Sequence, residues 1–131
     1  ESHQPNAGFS NAVPWLPVPA EHITLAVNTQ QNDAASMLSH YRRMLAFRAA
    51  HPALIKGSIT FLEAEGDVVV FTRRHGNEQL LCAFNLGGGE AALELGEGVS
   101  PVSIPGHGFS GTSAGGTIRL GAYGAWFGRI A

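Results

Sequence analysis

Charge is scarce in this chain. Only 14% of its 131 residues are Asp, Glu, Lys or Arg, and the formal net charge is -2. Such a balance leaves no electrostatic footprint for nucleic acid or for an anionic membrane surface. Long apolar runs are missing too: no stretch approaches the roughly 20 residues that a membrane-spanning helix needs. Cysteine occurs once, at Cys82, so an intrachain disulfide is excluded and nothing argues for an oxidising compartment. Cys82 sits in the run Leu80-Leu81-Cys82-Ala83-Phe84, where a thiol reads as a small buried hydrophobe rather than a nucleophile. No secretory signal is visible. The expected location is cytoplasmic, with no nucleic-acid partner, no membrane partner and no cofactor.

Periodicity is absent from residues 1–31, where prolines at 5, 14, 17 and 19 each remove a backbone donor and push the preceding residue toward extended geometry. The expectation is one long loop. It is rich in Phe9, Val13, Trp15, Leu16 and Val18, which a disordered tail would lack, so it is built to lie against a surface.

What is present begins at residue 33. Met37, Leu38, Tyr41, Met44 and Leu45 recur at i, i+1, i+4, i+7 and i+8, one face of an α-helix over 33–50. Asn32 or Asp33 is the expected cap, and Pro52 the stop. From Gly57 the period becomes two. Strands are expected at Ser58–Glu65 and Asp67–Arg74 about a tight turn at Gly66, then at Gln79–Leu86, Glu90–Leu95, Thr117–Leu120 and Ala125–Ile130, with one short strand at Val102–Ile104. The predicted fold class is mainly β: an antiparallel β-sandwich preceded by a long loop and one α-helix. The boundary falls at Pro52–Gly57, giving residues 1–56 and 57–131.

No catalytic constellation is legible. The histidines at 3, 22, 40, 51, 75 and 107 show no metal-ligand spacing, so no metal site is expected. Glu63 and Glu65 share one face of their expected strand, with Leu62 and Ala64 on the other; paired-carboxylate hydrolysis needs its two groups on opposite sides of a substrate. No serine sits in a Gly-x-Ser-x-Gly elbow. Gly87-Gly88-Gly89 precedes no helix and no Lys-Ser/Thr pair, and reads as a turn. Tyr123, Trp126 and Phe127 are candidates for a sugar-stacking platform or for the core.

The order of segments carries more. Asn6-Ala7-Gly8-Phe9-Ser10, Pro14-Trp15-Leu16-Pro17-Val18, Val27-x-x-Gln30-x-x-Asp33-x-x-Ser36, Tyr41-Arg42-Arg43-Met44-Leu45-Ala46-Phe47-Arg48, His51-Pro52-Ala53-Leu54 and Gly57 follow one another. This run resembles the C-terminal part of α-glucosidases of glycoside hydrolase family 13, the α-amylase family. Phe71-Thr72-Arg73-Arg74, Leu81-Cys82-Ala83-Phe84-Asn85-Leu86 and Leu120-Gly121-Ala122-Tyr123-Gly124-Ala125 continue it through the β module, so it covers nearly the whole chain.

The resemblance implies that residues 1–56 are the end of a catalytic (β/α)8 barrel, with the helix as its last one, and that residues 57–131 are the C-terminal β-sandwich. The implied partners are that barrel and a small oligosaccharide, cleaved or transferred at a terminal α-linked glucose by a retaining mechanism. The family's Asp nucleophile, Glu acid/base and sugar-holding Asp lie on earlier barrel strands, and none maps onto this chain, so no catalytic residue is assigned. Asn6, Gly8 and Phe9 are implied to lie near the rim of the substrate pocket. The alternative is a non-catalytic carbohydrate-binding β-sandwich module that uses Tyr123 and Trp126 as platforms.

Overall fold

Proline and glycine break the first 31 residues into short turns rather than leaving them as one loop. In the computed structural model, which describes residues 2–96, 98–102, 109 and 111–131, 3-10 turns occupy Pro5–Gly8 and Ala20–Leu25 and one α-helical turn, α1, spans Val27–Gln30. The expected single helix is in fact three, since α2 (Met37–Ala50) is followed at once by α3 (Pro52–Lys56).

Ser36, not Asp33, starts the long helix. Ser36 Oγ accepts the first-turn Ser39 N–H at 3.2 Å, satisfying a donor that the helix leaves orphaned. Its hydroxyl also faces the carbonyl oxygens of Gln30 at 2.7 Å and Asp33 at 2.8 Å. Asp33 Oδ1 instead accepts Ala35 N–H at 2.8 Å, an Asx turn that uses the side chain before the helix can. At the other end His51 is extended (φ -120°, ψ 97°), as a residue before proline prefers. Pro52 then opens α3, where a missing N–H costs nothing. The expected boundary stretch is thus largely helical. Gly57 ends it because a Cβ there would overlap the Ala53 carbonyl oxygen and stand 2.8 Å from that of Arg74.

The chain divides into two compact units, Glu1–Leu45 and Ala46–Ala131. In the first, α2 exposes Met37, Tyr41 and Leu45 by 64, 60 and 60%, one apolar stripe facing solvent.

The second unit is built of β1 (Ser58–Leu62), β2 (Val68–His75), β3 (Glu78–Asn85), β4 (Ala91–Glu94), β5 (Val99–Pro101), β6 (Thr112–Ala114), β7 (Thr117–Leu120) and β8 (Ala125–Ile130). They form two antiparallel sheets, ordered β1-β2-β3-β8-β5 and β4-β7-β6. β1 ends at Leu62, so Glu63 and Glu65 lie on an exposed loop and not on a strand. The tight turn expected at Gly66 is a longer connection, whereas β2 and β3 join through Gly76-Asn77 alone, with Gly76 at φ +57°. A short strand runs at Val99–Pro101; of the one expected at Val102–Ile104, residues 103 and 104, like His107, lie outside the described residues. β6 was not anticipated.

Alternation assigns the faces. Val70, Leu81, Ala83 and Trp126 of the larger sheet meet Ile118 and Leu120 of the smaller one in the sandwich core. The opposite, outer face of the larger sheet carries Ile59, Phe61, Phe71, Leu80, Cys82, Phe84 and Phe127. Part of it is a second buried layer: Leu80, Cys82 and Phe127 are 0, 1 and 6% exposed. Phe47, from the end of α2, covers Phe127 with ring centroids 5.2 Å apart.

Candidate functional site

Asn6 and Ala7 both adopt left-handed backbone, φ 52° and 54°, a conformation that asparagine tolerates better than most residues. Asn6 Nδ2 donates to the carbonyl oxygens of Ser10 at 2.8 Å and Ala12 at 3.0 Å, closing the loop on itself. Gly8 follows at φ 77°, and Phe9 is 91% exposed. Asn6 lines an open groove of about 460 Å³ with Val13, Trp15 and Ile23; Gly8 and Phe9 are not part of its wall. Among the described residues, no three His, Cys, Asp or Glu side chains gather in one place.

Two polar clusters went unseen in the sequence. The first joins α3 to the sheet. Glu78 Oε1 meets His51 Nδ1 at 2.7 Å, and Glu78 Oε2 accepts Ala53 N–H at 2.8 Å. A carboxylate thus caps α3 from another element, where the helix dipole favours it. Burial raises the Glu78 carboxyl, but the Ala53 amide, the His51 hydrogen bond and charge, and the Arg129 charge together hold it below its ordinary value of 4.5. Arg73, on the same outer face, donates to Gly57 O at 2.9 Å.

The second cluster closes one end of the sandwich. Asn85 is 4% exposed. Its Nδ2 donates to Gly89 O at 2.6 Å and Gly121 O at 2.9 Å, and its Oδ1 accepts Gly87 N–H at 3.0 Å. One amide therefore ties the glycine turn to the loop before β8. Tyr123 in that loop has φ 52° and donates its N–H to Gly87 O at 3.0 Å. The signal was legible: Leu81, Ala83 and Asn85 share one face, and a polar residue in the inward series needs partners.

The paired aromatic platform does not form. Tyr123 is 76% exposed, but Trp126 is 5% exposed and belongs to the core. Phe127 is buried beneath Phe47 and Phe84, with centroids 5.2 and 5.6 Å away. Cys82, 1% exposed, has its thiol pushed up to about 11 by burial, against the opposing charge of Arg73. It is inert as a nucleophile.

Comparison with known proteins places this arrangement. Residues 1–57 match the alpha amylase catalytic-domain model, and residues 59–126 match that of the maltogenic amylase C-terminal domain. A probable alpha-glucosidase of Rhizobium meliloti (strain 1021) is 47% identical over 128 residues, 97% of this chain and 23% of that protein. A probable oligo-1,6-glucosidase of Bacillus subtilis (strain 168) is 30% identical over 68% of this chain and 16% of that protein. The crystal structure of an alpha-glucosyl transfer enzyme superposes with a TM-score of 0.82 at 38% identity, covering 90% of this chain and 22% of that one. The chain thus spans less than a quarter of the length of these relatives. It belongs to the α-amylase family, glycoside hydrolase family 13, and residues 59–126 are its maltogenic amylase C-terminal domain.

Proposed function

We propose that this chain is the C-terminal part of an α-glucosidase. The parent enzyme hydrolyses or transfers terminal α-linked glucose from small oligosaccharides with retention. Residues 1–56 are the end of its catalytic barrel, and residues 57–131 are the sandwich that follows. The segment itself is structural: the catalytic carboxylates lie on the rest of the parent, and the sandwich shields and steadies the barrel. In this reading Asn6, Gly8 and Phe9 stand near the rim of the pocket that takes the oligosaccharide.

The observation that carries it is the apolar surface of the residues matching the catalytic domain. Phe9 and Trp15 are each 91% exposed, Val13 is 96% exposed, and the Met37-Tyr41-Leu45 stripe faces solvent. Patches of this kind mark surfaces that are covered in the working molecule.

The test compares the isolated chain with the product of its gene including the natural upstream region. The isolated chain releases no p-nitrophenol from p-nitrophenyl α-glucoside above a matched blank, and the longer product does. Release by the isolated chain, or silence from the longer product, overturns the proposal.

A further inference from the structure

The two sheets of the sandwich are unequal. β2 and β3 run for eight residues each, whereas β4, β7 and β6 run for four, four and three. The smaller sheet therefore covers only part of the inner face opposite it: Ile118 and Leu120 reach Val70, Leu81, Ala83 and Trp126. Beyond Leu81 that inner face runs on uncovered toward β1, whose five residues are all exposed. Alternation from Val70 and Leu81 puts Thr72, Arg74 and Gln79 on it, and pairing adds Thr60 beside Thr72 and Ser58 beside Arg74.

These five side chains line one open cleft of about 550 Å³, floored by Leu81, Val99 and Ile130. The inward series of a sandwich strand is ordinarily apolar, so five polar groups in adjoining positions break the pattern. None of the five has a side-chain hydrogen bond or an ion pair among the described residues. No Asp or Glu lines the cleft. The adjoining cleft shares Leu95, but its charged groups are all carboxylates, so an anion has its place at the Arg74 end alone. An apolar floor with a few convergent polar groups is the usual make-up of a small-molecule site.

We propose that this cleft binds a phosphorylated monosaccharide. Register gives two rows, Ser58-Arg74-Gln79 and Thr60-Thr72. With strands about 4.8 Å apart and rows about 7 Å apart, the polar groups cover about 10 by 7 Å, the extent of a hexose carrying one phosphoryl group. Arg74 takes the phosphoryl group, with Ser58 and Gln79 on either side of it. A guanidinium fork matches phosphate oxygens two at a time. Thr60 and Thr72 take ring hydroxyls, and the C–H face of the ring lies on Leu81. The donors are a guanidinium, three hydroxyls and an amide. They outnumber what the two oxygens of a carboxylate can accept, and they suit a phosphoryl group joined to a polyol. Every group involved belongs to the Ala46–Ala131 unit, so the site stands independently of the parent's reaction.

Titration calorimetry of the longer gene product at fixed ionic strength tests it, with glucose 6-phosphate, inorganic phosphate and glucose as probes. Glucose 6-phosphate binds. Arg74→Met weakens that binding at least tenfold and Thr72→Val weakens it several-fold, while Arg119→Met, on the outer face of β7, leaves it unchanged. Inorganic phosphate binds through Arg74 but several-fold more weakly, and glucose shows no binding that depends on Arg74. Sugar phosphate held elsewhere on the parent does not respond to Arg74, so affinity that survives Arg74→Met overturns the proposal, as does a wild type that binds no glucose 6-phosphate. Inorganic phosphate bound as tightly as the sugar phosphate overturns it in favour of a bare anion site. Arg74-dependent binding of glucose as tight as that of glucose 6-phosphate overturns it in favour of a neutral sugar. Thermal melts check each variant, and Arg74→Gln stands in should Arg74→Met misfold.

Discussion

Glu78 and His51 stand 2.7 Å apart although 27 positions separate them in the chain. The same carboxylate takes Ala53 N–H, so one side chain fixes both the end of α2 and the start of α3 on the outer sheet face. His51 is fixed further by its ring contact with Phe47, centroids 4.6 Å apart.

This pair makes stability depend on acid in one direction. The folded Glu78 carboxyl lies below its ordinary value of 4.5, burial being outweighed by Ala53, His51 and Arg129. On unfolding it returns to that ordinary value. Between the two values the unfolded chain binds more protons, so stability rises with pH. The contribution is complete above the ordinary value and is lost as pH falls through the folded one. Glu78→Gln keeps an acceptor for Ala53 but no charge. It lowers unfolding free energy by about 1 kcal/mol at neutral pH, and the difference from wild type shrinks as pH falls through the ordinary value of 4.5 and then the lower folded one. Urea titrations at both ends check this; a difference that does not change with pH removes the carboxylate as its source.

The Glu78–His51 contact also shows where sequence reasoning stopped. Strands with clean alternation and firm turns were legible: β7 and β8 fall at Thr117–Leu120 and Ala125–Ile130 as expected, and β3 differs by one residue at each end. β5 and β6 lie among Gly, Pro and Ser, and are held by pairing to β8 and β7 rather than by any pattern of their own. Asp33 and Ser36 are both good caps, and only the three-dimensional path of α1 into α2 decides for Ser36. Glu78 falls outside the expected strands at Asp67–Arg74 and Gln79–Leu86, and its partners His51 and Ala53 come from another element. The family, in contrast, was visible in the order of short motifs, which needs no tertiary knowledge.

Asn85 carries three hydrogen bonds from a 4% exposed position. Asn85→Ala leaves the Gly87 N–H and the Gly89 carbonyl without their Asn85 partner and the Gly121 carbonyl with the Gly124 N–H, a cost of about 2–3 kcal/mol. Asn85→Asp keeps the acceptor for Gly87 but turns a carboxylate oxygen toward the Gly89 and Gly121 carbonyls. At neutral pH it is destabilised at least as much as Asn85→Ala, because one oxygen of a buried charge then faces two carbonyl acceptors. Acid protonates that carboxyl and narrows the gap between the two variants. Thermal melts of both variants at two pH values measure this; an Asp variant as stable as wild type at neutral pH refutes the role of Asn85 as donor.

The two tryptophans report on the two units separately. Trp15 is 91% exposed and Trp126 is 5% exposed. Acrylamide therefore quenches the native chain mainly through Trp15. Trp15→Phe lowers the quenching constant several-fold and shifts emission to the blue. In that variant maltooligosaccharides leave the emission of Trp126 unchanged, since its ring packs in the sandwich core. A saccharide-dependent change there would restore the carbohydrate-binding platform.

Cys82 offers an internal gauge for these effects. Burial pushes its thiol up to about 11 against the opposing charge of Arg73, so at pH 8 only on the order of one molecule in a thousand is thiolate. Its side chain is also buried on the outer sheet face, 1% exposed. Labelling by an aromatic disulfide then requires the sandwich to open, and under fast reclosing the rate tracks the open population. The native chain labels slowly, and the chain in concentrated urea labels at once. Asn85→Ala, which loses about 2–3 kcal/mol, accelerates native labelling by about 30- to 150-fold if opening is global. Unchanged labelling in that variant, alongside a lowered melting temperature, would mean that Cys82 is reached by a local opening of α3 from the sheet. Glu78→Gln would then accelerate it where Asn85→Ala does not.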